Sequence, residues 1–136
     1  MPKNSSSHYL EKRKAAKREK MQRRIAAGLI SDHFTDVLHI IIRLTYYQKG
    51  MAGPMVRTVN FAPGDYAYFN MECMRRECLN GGFDLTQKIS CLFKNHKRVG
   101  RGKKYCSGQQ GILASCNACI DYKIIIRYNT NKKMLA

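Results

Sequence analysis

Tryptophan is absent from this chain of 136 residues, so a modest core must be anchored by other side chains. Acid is scarce as well: 9 Asp and Glu stand against 25 Lys and Arg, a formal charge of +16. With so few carboxylates, none clusters around His96. The excess cations attract polyanions, nucleic acid foremost and an anionic membrane surface second. No long apolar run is present. The longest, over residues 37–44, is interrupted by His39 and Arg43, far short of the roughly 20 residues that cross a bilayer. The opening MPKNSSSHYLEKRK lacks the apolar h-region of a secretory signal. A soluble protein without a membrane span is expected, cytoplasmic or otherwise intracellular. Arg and Ser with little acid also describe some organellar transit peptides, and Glu11 and Glu19 weigh against that.

Catalytic motifs are missing too. A zinc deaminase needs His-x-Glu ahead of Pro-Cys-x-x-Cys; here Cys116 follows Ser115, and His-x-Glu occurs nowhere. Neither the metalloprotease His-Glu-x-x-His nor a Gly-x-x-x-x-Gly-Lys-Ser/Thr phosphate loop is found. A metal-dependent nuclease would have to rely on His96, beside Asn95, to act on a metal-activated water. No acid accompanies it. His39 reads as a structural strand histidine, and His8 and His33 as surface or capping residues. The expectation is a protein without catalytic residues.

Residues 1–30 form a basic arm: nine cations from Lys3 to Arg24 against Glu11 and Glu19. Its Ala, Lys, Arg, Glu and Met favour helix, with Ser7 as the expected N-cap and Gly28 as the stop. Leu10, Met21, Ile25 and Leu29 make only a thin apolar stripe, so the arm is expected to be helical against a partner and frayed when free.

A single β-rich domain is expected over 31–129, followed by a polar tail at 130–136. Residues 34–47 alternate, with Leu38, Ile40, Ile42, Leu44 and Tyr46 opposed to Val37, His39, Ile41, Arg43 and Thr45. That pattern predicts a strand buried mainly on one face. Residues 55–61 predict a second strand, 66–73 a third, and 120–128 a fourth, with a tight turn at Pro63-Gly64. Leu85, Ile89, Leu92 and Phe93 fall on one face of a short helix, opened by an Asp84/Gln87 pair resembling a capping box. RVGRGKK, before Cys106, reads as a mobile basic loop. The fold class is α+β: a small antiparallel sheet of about four strands, one packed helix, a zinc-ribbon-like four-cysteine site and an N-terminal basic helical arm.

Cysteines organise the second half. Five of six lie in MECMRREC, KKYCSG and ASCNAC. In a reducing compartment they read better as metal ligands than as disulfides. Structural zinc takes four ligands tetrahedrally, and four thiolates are a common set. Cys73 and Cys78 supply the first half-site. For the second, Cys116 is in phase with Ile120, Tyr122, Ile124, Ile126 and Tyr128, whereas Cys119 shares the face of Asp121, Lys123 and Arg127. The expected ligands are therefore Cys73, Cys78, Cys106 and Cys116, with Cys119 as the alternate fourth. The competing reading is buried or free thiols without metal, and it includes Cys91, expected within or near the core.

Beyond the arm the body still holds sixteen cations against seven acids, a charge of +9. Phosphate contacts are expected from Lys12, Arg13, Lys14, Lys17, Arg18, Arg23 and Arg24 in the arm, and from Lys94, Lys97, Arg98, Arg101, Lys103 and Lys104 in the body. Such contacts confer affinity and salt dependence rather than sequence specificity. Tyr46, Tyr47, Tyr66, Tyr68, Tyr122 and Tyr128 are candidates for base stacking wherever they are exposed. The expected function is non-catalytic, zinc-stabilised binding of nucleic acid, RNA or DNA, with an inclination to RNA by architectural analogy with ribonucleoprotein assemblies. The alternative is a protein-interaction adaptor or inhibitor whose basic surface meets an acidic or nucleic-acid-binding partner.

Overall fold

The isoleucine-rich stretches that alternate in the sequence form the two central strands of one sheet. The computed structural model describes residues 2–47, 53–73, 82–106, 109–110, 114–115 and 118–129. Its elements in chain order are α1 (Pro2–Ala26), α2 (Ile30–His33), β1 (Val37–Tyr47), β2 (Met55–Phe61), β3 (Asn70–Met71), β4 (Phe83–Asp84), α3 (Thr86–Lys94), β5 (Val99–Tyr105), β6 (Gln109–Gln110), β7 (Ala114–Ser115) and β8 (Cys119–Tyr128). The fold is α+β, with a four-stranded antiparallel sheet in the order β2-β1-β8-β5 and few helices.

Register explains the core. Ile40 faces Ile126, Ile42 faces Ile124, and Tyr46 faces Ile120, and all six are buried. Each fully buried aliphatic side chain contributes roughly 1.5–3 kcal/mol, so this paired stripe is the main source of stability in the sheet. Its inner face is covered by α3 and by residues 66–71. Ala67, Phe69 and Met71 point inward and are buried, and Phe69 meets Phe61 and Phe34 edge-on at ring separations of 5.1 and 6.1 Å. From α3, Ile89 and Leu92 are buried, while Phe93 packs on Phe34 at 4.9 Å. The core reaches back to Ile30, which is 1% exposed and whose N–H donates to the Asp65 carbonyl.

Several sequence expectations need correction. Residues 66–73 alternate as a strand would, but only Asn70–Met71 forms a strand, paired with β4 outside the main sheet, while Tyr66 makes an isolated bridge with Leu29. Alternation reports a segment with one wet and one dry side; it does not say where the backbone hydrogen bonds go. RVGRGKK, expected as a loop, is the edge strand β5. Its glycines are packing positions: a Cβ on Gly100 would lie 2.6 Å from Leu92 Cδ1, and one on Gly102 would collide with the Tyr122 hydroxyl. Glycine here admits α3 and an aromatic ring against the backbone. Finally, α3 opens at Thr86 with Leu85 as N-cap and no side-chain cap. Asp84 Oδ1 instead accepts from the Thr86 N–H and hydroxyl, at 3.0 and 2.6 Å, so the expected capping box does not form.

Helix α1 runs through Ser7, the residue expected to cap it, and begins at Pro2, a favoured first helical residue because its missing N–H has no helical partner. Gly28, at φ +76°, follows its end. His33 Nε2 lies 2.8 Å from the Ala27 carbonyl and so caps the helix's C-terminus. From residue 10 onward its side chains are exposed except Ala16 and Lys20. No described helix is long and apolar enough to cross a membrane.

Candidate nucleic-acid interface

One face of the sheet is the core; among the described residues, the other has no layer over it. On that outer face the register lines up side chains in rows. Thr58, Arg43, Lys123 and Arg101 form one row, Val56, Thr45, Asp121 and Lys103 the next, and Tyr47, Cys119 and Tyr105 the last. On the other side of the cation row lie Asn60, Ile41, Ile125 and Val99. Every one of these side chains is exposed or half-buried.

The charge on this face is strongly one-sided. Arg43, Lys123 and Arg101 are cross-strand neighbours about 4.8 Å apart, an arrangement that destabilises a sheet because like charges sit opposite each other. Arg127 and His39 extend the basic surface toward the far end of β8. Asp121 is the sole acid on the face among the described residues, and it is already engaged. Lys103 Nζ stands 4.0 Å from its carboxylate, and the same carboxylate, close to the Tyr47 hydroxyl, raises the Tyr47 phenol above its ordinary 10.0. The three cations in the row therefore carry uncompensated positive charge.

The six-cation cluster read from residues 94–104 is divided by the fold. Arg101 and Lys103 are on the outer face. Lys104 is turned the other way and donates to the Asp84 carbonyl. Lys94 lies in the last turn of α3, beside a groove lined by Phe34, Phe69 and Phe93. Lys97 and Arg98 occupy the following turn, where the Lys97 carbonyl accepts from the Tyr128 hydroxyl at 2.8 Å and the Arg98 carbonyl from the Ile126 N–H; both side chains are exposed. In α1, Lys12, Arg13, Lys14, Lys17, Arg18, Arg23 and Arg24 are all exposed. Arg24 sits 5.6 Å over the Tyr68 ring, and Arg23 Nη2 is 3.9 Å from Glu19.

Sequence reasoning missed Arg43, Lys123, Arg127 and Tyr105 as members of one surface. The first three were visible as polar positions alternating with isoleucine. Tyr105 was hidden by the reading of β5 as a loop. Of the tyrosines considered for stacking, Tyr46 and Tyr128 are buried and Tyr122 lies over Gly102, whereas Tyr47 and Tyr66 are exposed.

The cysteines separate by face. Cys106 is buried, its N–H donating to the Ala118 carbonyl at 3.0 Å, and Cys73 packs against the same core. Both lie toward the end of the sheet marked by Tyr46 and Ile120: the Tyr46 hydroxyl donates to the Glu72 carbonyl, next to Cys73. Burial holds the Tyr46 phenol above 10.0, with the nearby Arg57 acting against it. Cys119 is half-buried on the opposite face, between Tyr47 and Tyr105. Cys78 and Cys116 lie outside the described residues, among which no group of three or more metal-ligating side chains gathers. Cys91, expected near the core, is exposed on α3. His96 stacks on Tyr128 at 4.1 Å rather than meeting a carboxylate among the described residues.

No family model matches the chain, and no curated protein or solved structure matches it.

Proposed function

We propose that this protein binds nucleic acid through its phosphate backbone, without catalysis, using the outer sheet face together with the exposed cations of α1. The row Arg43–Lys123–Arg101 carries this reading. Like charges held side by side on a face that the described chain leaves open lower stability, and a polyanion relieves that repulsion. The ribonucleoprotein setting, with RNA ahead of DNA, is the favoured context. A protein adaptor with an acidic partner is the alternative.

A structural zinc held by Cys73, Cys78, Cys106 and Cys116 belongs to the same proposal. Its support is that Cys73 and Cys106 share the inner side and one end of the sheet, whereas Cys119 is on the other face. Four thiolates would close a tetrahedral structural site and add folding energy. Elemental analysis showing one zinc per chain, with a fall in melting temperature on chelation, tests it; a metal-free protein with an unaltered melt rejects it.

The binding test is fluorescence anisotropy of the full chain with a labelled oligonucleotide across a salt series. Each phosphate contact removed lowers the salt slope by about 1. Combining Arg43→Ala, Lys123→Ala and Arg101→Ala should weaken binding and lower the slope by about 2–3. Unchanged affinity and slope would remove the sheet face from the interface. If nucleic acid fails to bind while an acidic protein co-purifies after nuclease treatment, the adaptor reading replaces it.

A further inference from the structure

We infer that the outer sheet face takes a single-stranded nucleic acid, with Tyr47 and Tyr105 as base-stacking residues and Arg43, Lys123 and Arg101 holding phosphates. This rests on the nucleic-acid reading above and names the form of the polymer.

Width is the first argument. The four strands β2-β1-β8-β5 span three spacings of about 4.8 Å, roughly 14 Å between the outer backbones before side chains are added. The major groove of B-DNA is about 12 Å wide and admits a helix or a two-stranded ribbon. A face this broad cannot enter the groove, so a duplex could meet it only through its outermost phosphates. The tyrosines would then have no partner, because paired bases keep their faces inside the stack.

The tyrosines are placed for an open strand. Tyr47 and Tyr105 are cross-strand neighbours of Cys119 from either side, which sets their backbones about 10 Å apart on one face. Tyr105 is 67% exposed and Tyr47 40%. Between the two tyrosines and the cation row, Asp121 is paired with Lys103 at 4.0 Å. That contact engages the only described acid on the face. Along edge strand β5, Tyr105, Lys103 and Arg101 point outward at every second residue, about 6.8 Å apart. An aromatic and the unpaired cation Arg101 on one line, with Lys103 between them held by Asp121, suit a chain that alternates base and phosphate. The ring face accepts any base, so little sequence preference is expected from it.

The test uses the full chain and three fluorescein-labelled probes: a short oligouridylate, a hairpin duplex with the same number of phosphates, and an abasic strand of the same length. Stacking on one aromatic changes affinity by about tenfold, from roughly 1–3 kcal/mol per base. The single strand should therefore bind at least about tenfold tighter than the duplex. The Tyr47→Ala, Tyr105→Ala double variant should lose about tenfold or more on the strand and nothing on the duplex. Tyr47→Phe with Tyr105→Phe, which keeps both rings, should restore the strand preference. Because the chain has no tryptophan, quenching of tyrosine emission by the strand, lost in the alanine variant, reads stacking directly. Equal binding of strand and duplex, with silent tyrosine variants but weakened binding in the Arg43, Lys123 and Arg101 variant, overturns the inference and leaves the phosphate reading standing. If neither probe binds, both fall.

Discussion

The two faces of the sheet are made from the same four strands, yet they obey opposite rules. On the inner face, β1 and β8 set Ile40, Ile42 and Tyr46 against Ile126, Ile124 and Ile120, all buried. On the outer face the intervening positions set Arg43 against Lys123, with Arg101 beyond. The inner pairs lower the free energy of folding; the outer pairs raise it. A one-residue slip in register would exchange the two sets. The inner face therefore pins the register, and that register alone is what lines up the cations. Stability and the proposed binding therefore belong to alternate residues, and variants can be chosen that move one without the other.

The largest difference between the faces should appear on truncation at their centres. Ile124→Ala opens a cavity in a fully buried position and should lower stability by about 2–5 kcal/mol. At Ile125, half-buried on the outer side, the same truncation should remove clearly less. Chemical denaturation of both variants measures the contrast, and equal losses would mean that the outer face is covered in solution. Gly100→Val comes next. Its side chain would press on Leu92 of α3 and should cost about 1–3 kcal/mol as the helix shifts. A neutral result would return the segment 98–104 to a flexible loop.

Alkaline pH should affect the inner face next. Burial raises the phenols of Tyr46 and Tyr128 above their ordinary 10.0, so the folded state favours the neutral forms. Their contribution is complete below pH 10.0, where the unfolded chain is also neutral. It is lost as pH rises through the raised folded values, because the unfolded chain ionises first. Denaturation midpoints should fall above pH 10.0, and Tyr128→Phe, already short of its hydrogen bond to the Lys97 carbonyl, should show a shallower fall. An alkaline dependence identical to wild type would place Tyr128 outside the core.

The smallest effects on stability belong to exposed positions. Arg43→Ala should change it by no more than about 0.5 kcal/mol, and relief of repulsion with Lys123 makes a slight gain the expected sign. Its larger effect should be on the proposed binding. Cys91→Ser, on the exposed side of α3, should be within the same range. A loss of several kcal/mol at Cys91 would show that α3 is packed against something on that side.

Much of the architecture was legible from spacing alone. The alternation in residues 37–47 and 120–128 marked both central strands, and the spacing of Leu85, Ile89 and Leu92 marked α3. The turn at Pro63-Gly64 closes as expected, with the Asp65 N–H donating to the Ala62 carbonyl at 3.0 Å. What failed was the inference from residue type to mobility. Gly100 and Gly102 suggested freedom, but they are required because Leu92 and Tyr122 fill the space a Cβ would take. The polar side of β1 and β8 was given no binding role, and phosphate contacts were expected only from the arm and from residues 94–104.

The physical reason is the range of each signal. Alternation, helical spacing and net charge are local or additive, and the sequence by itself determined them: two-faced strands, a basic helix, an amphipathic α3 and a surface that attracts polyanions. Which strand completes the sheet depends on hydrogen bonds between segments far apart in the chain, and only the tertiary structure decided that β5 pairs with β8 rather than residues 66–73 with either edge. That choice carried Arg101 and Tyr105 to the side of Lys123 and Cys119. It also left Cys73 and Cys106 with the core and Cys119 on the opposite face.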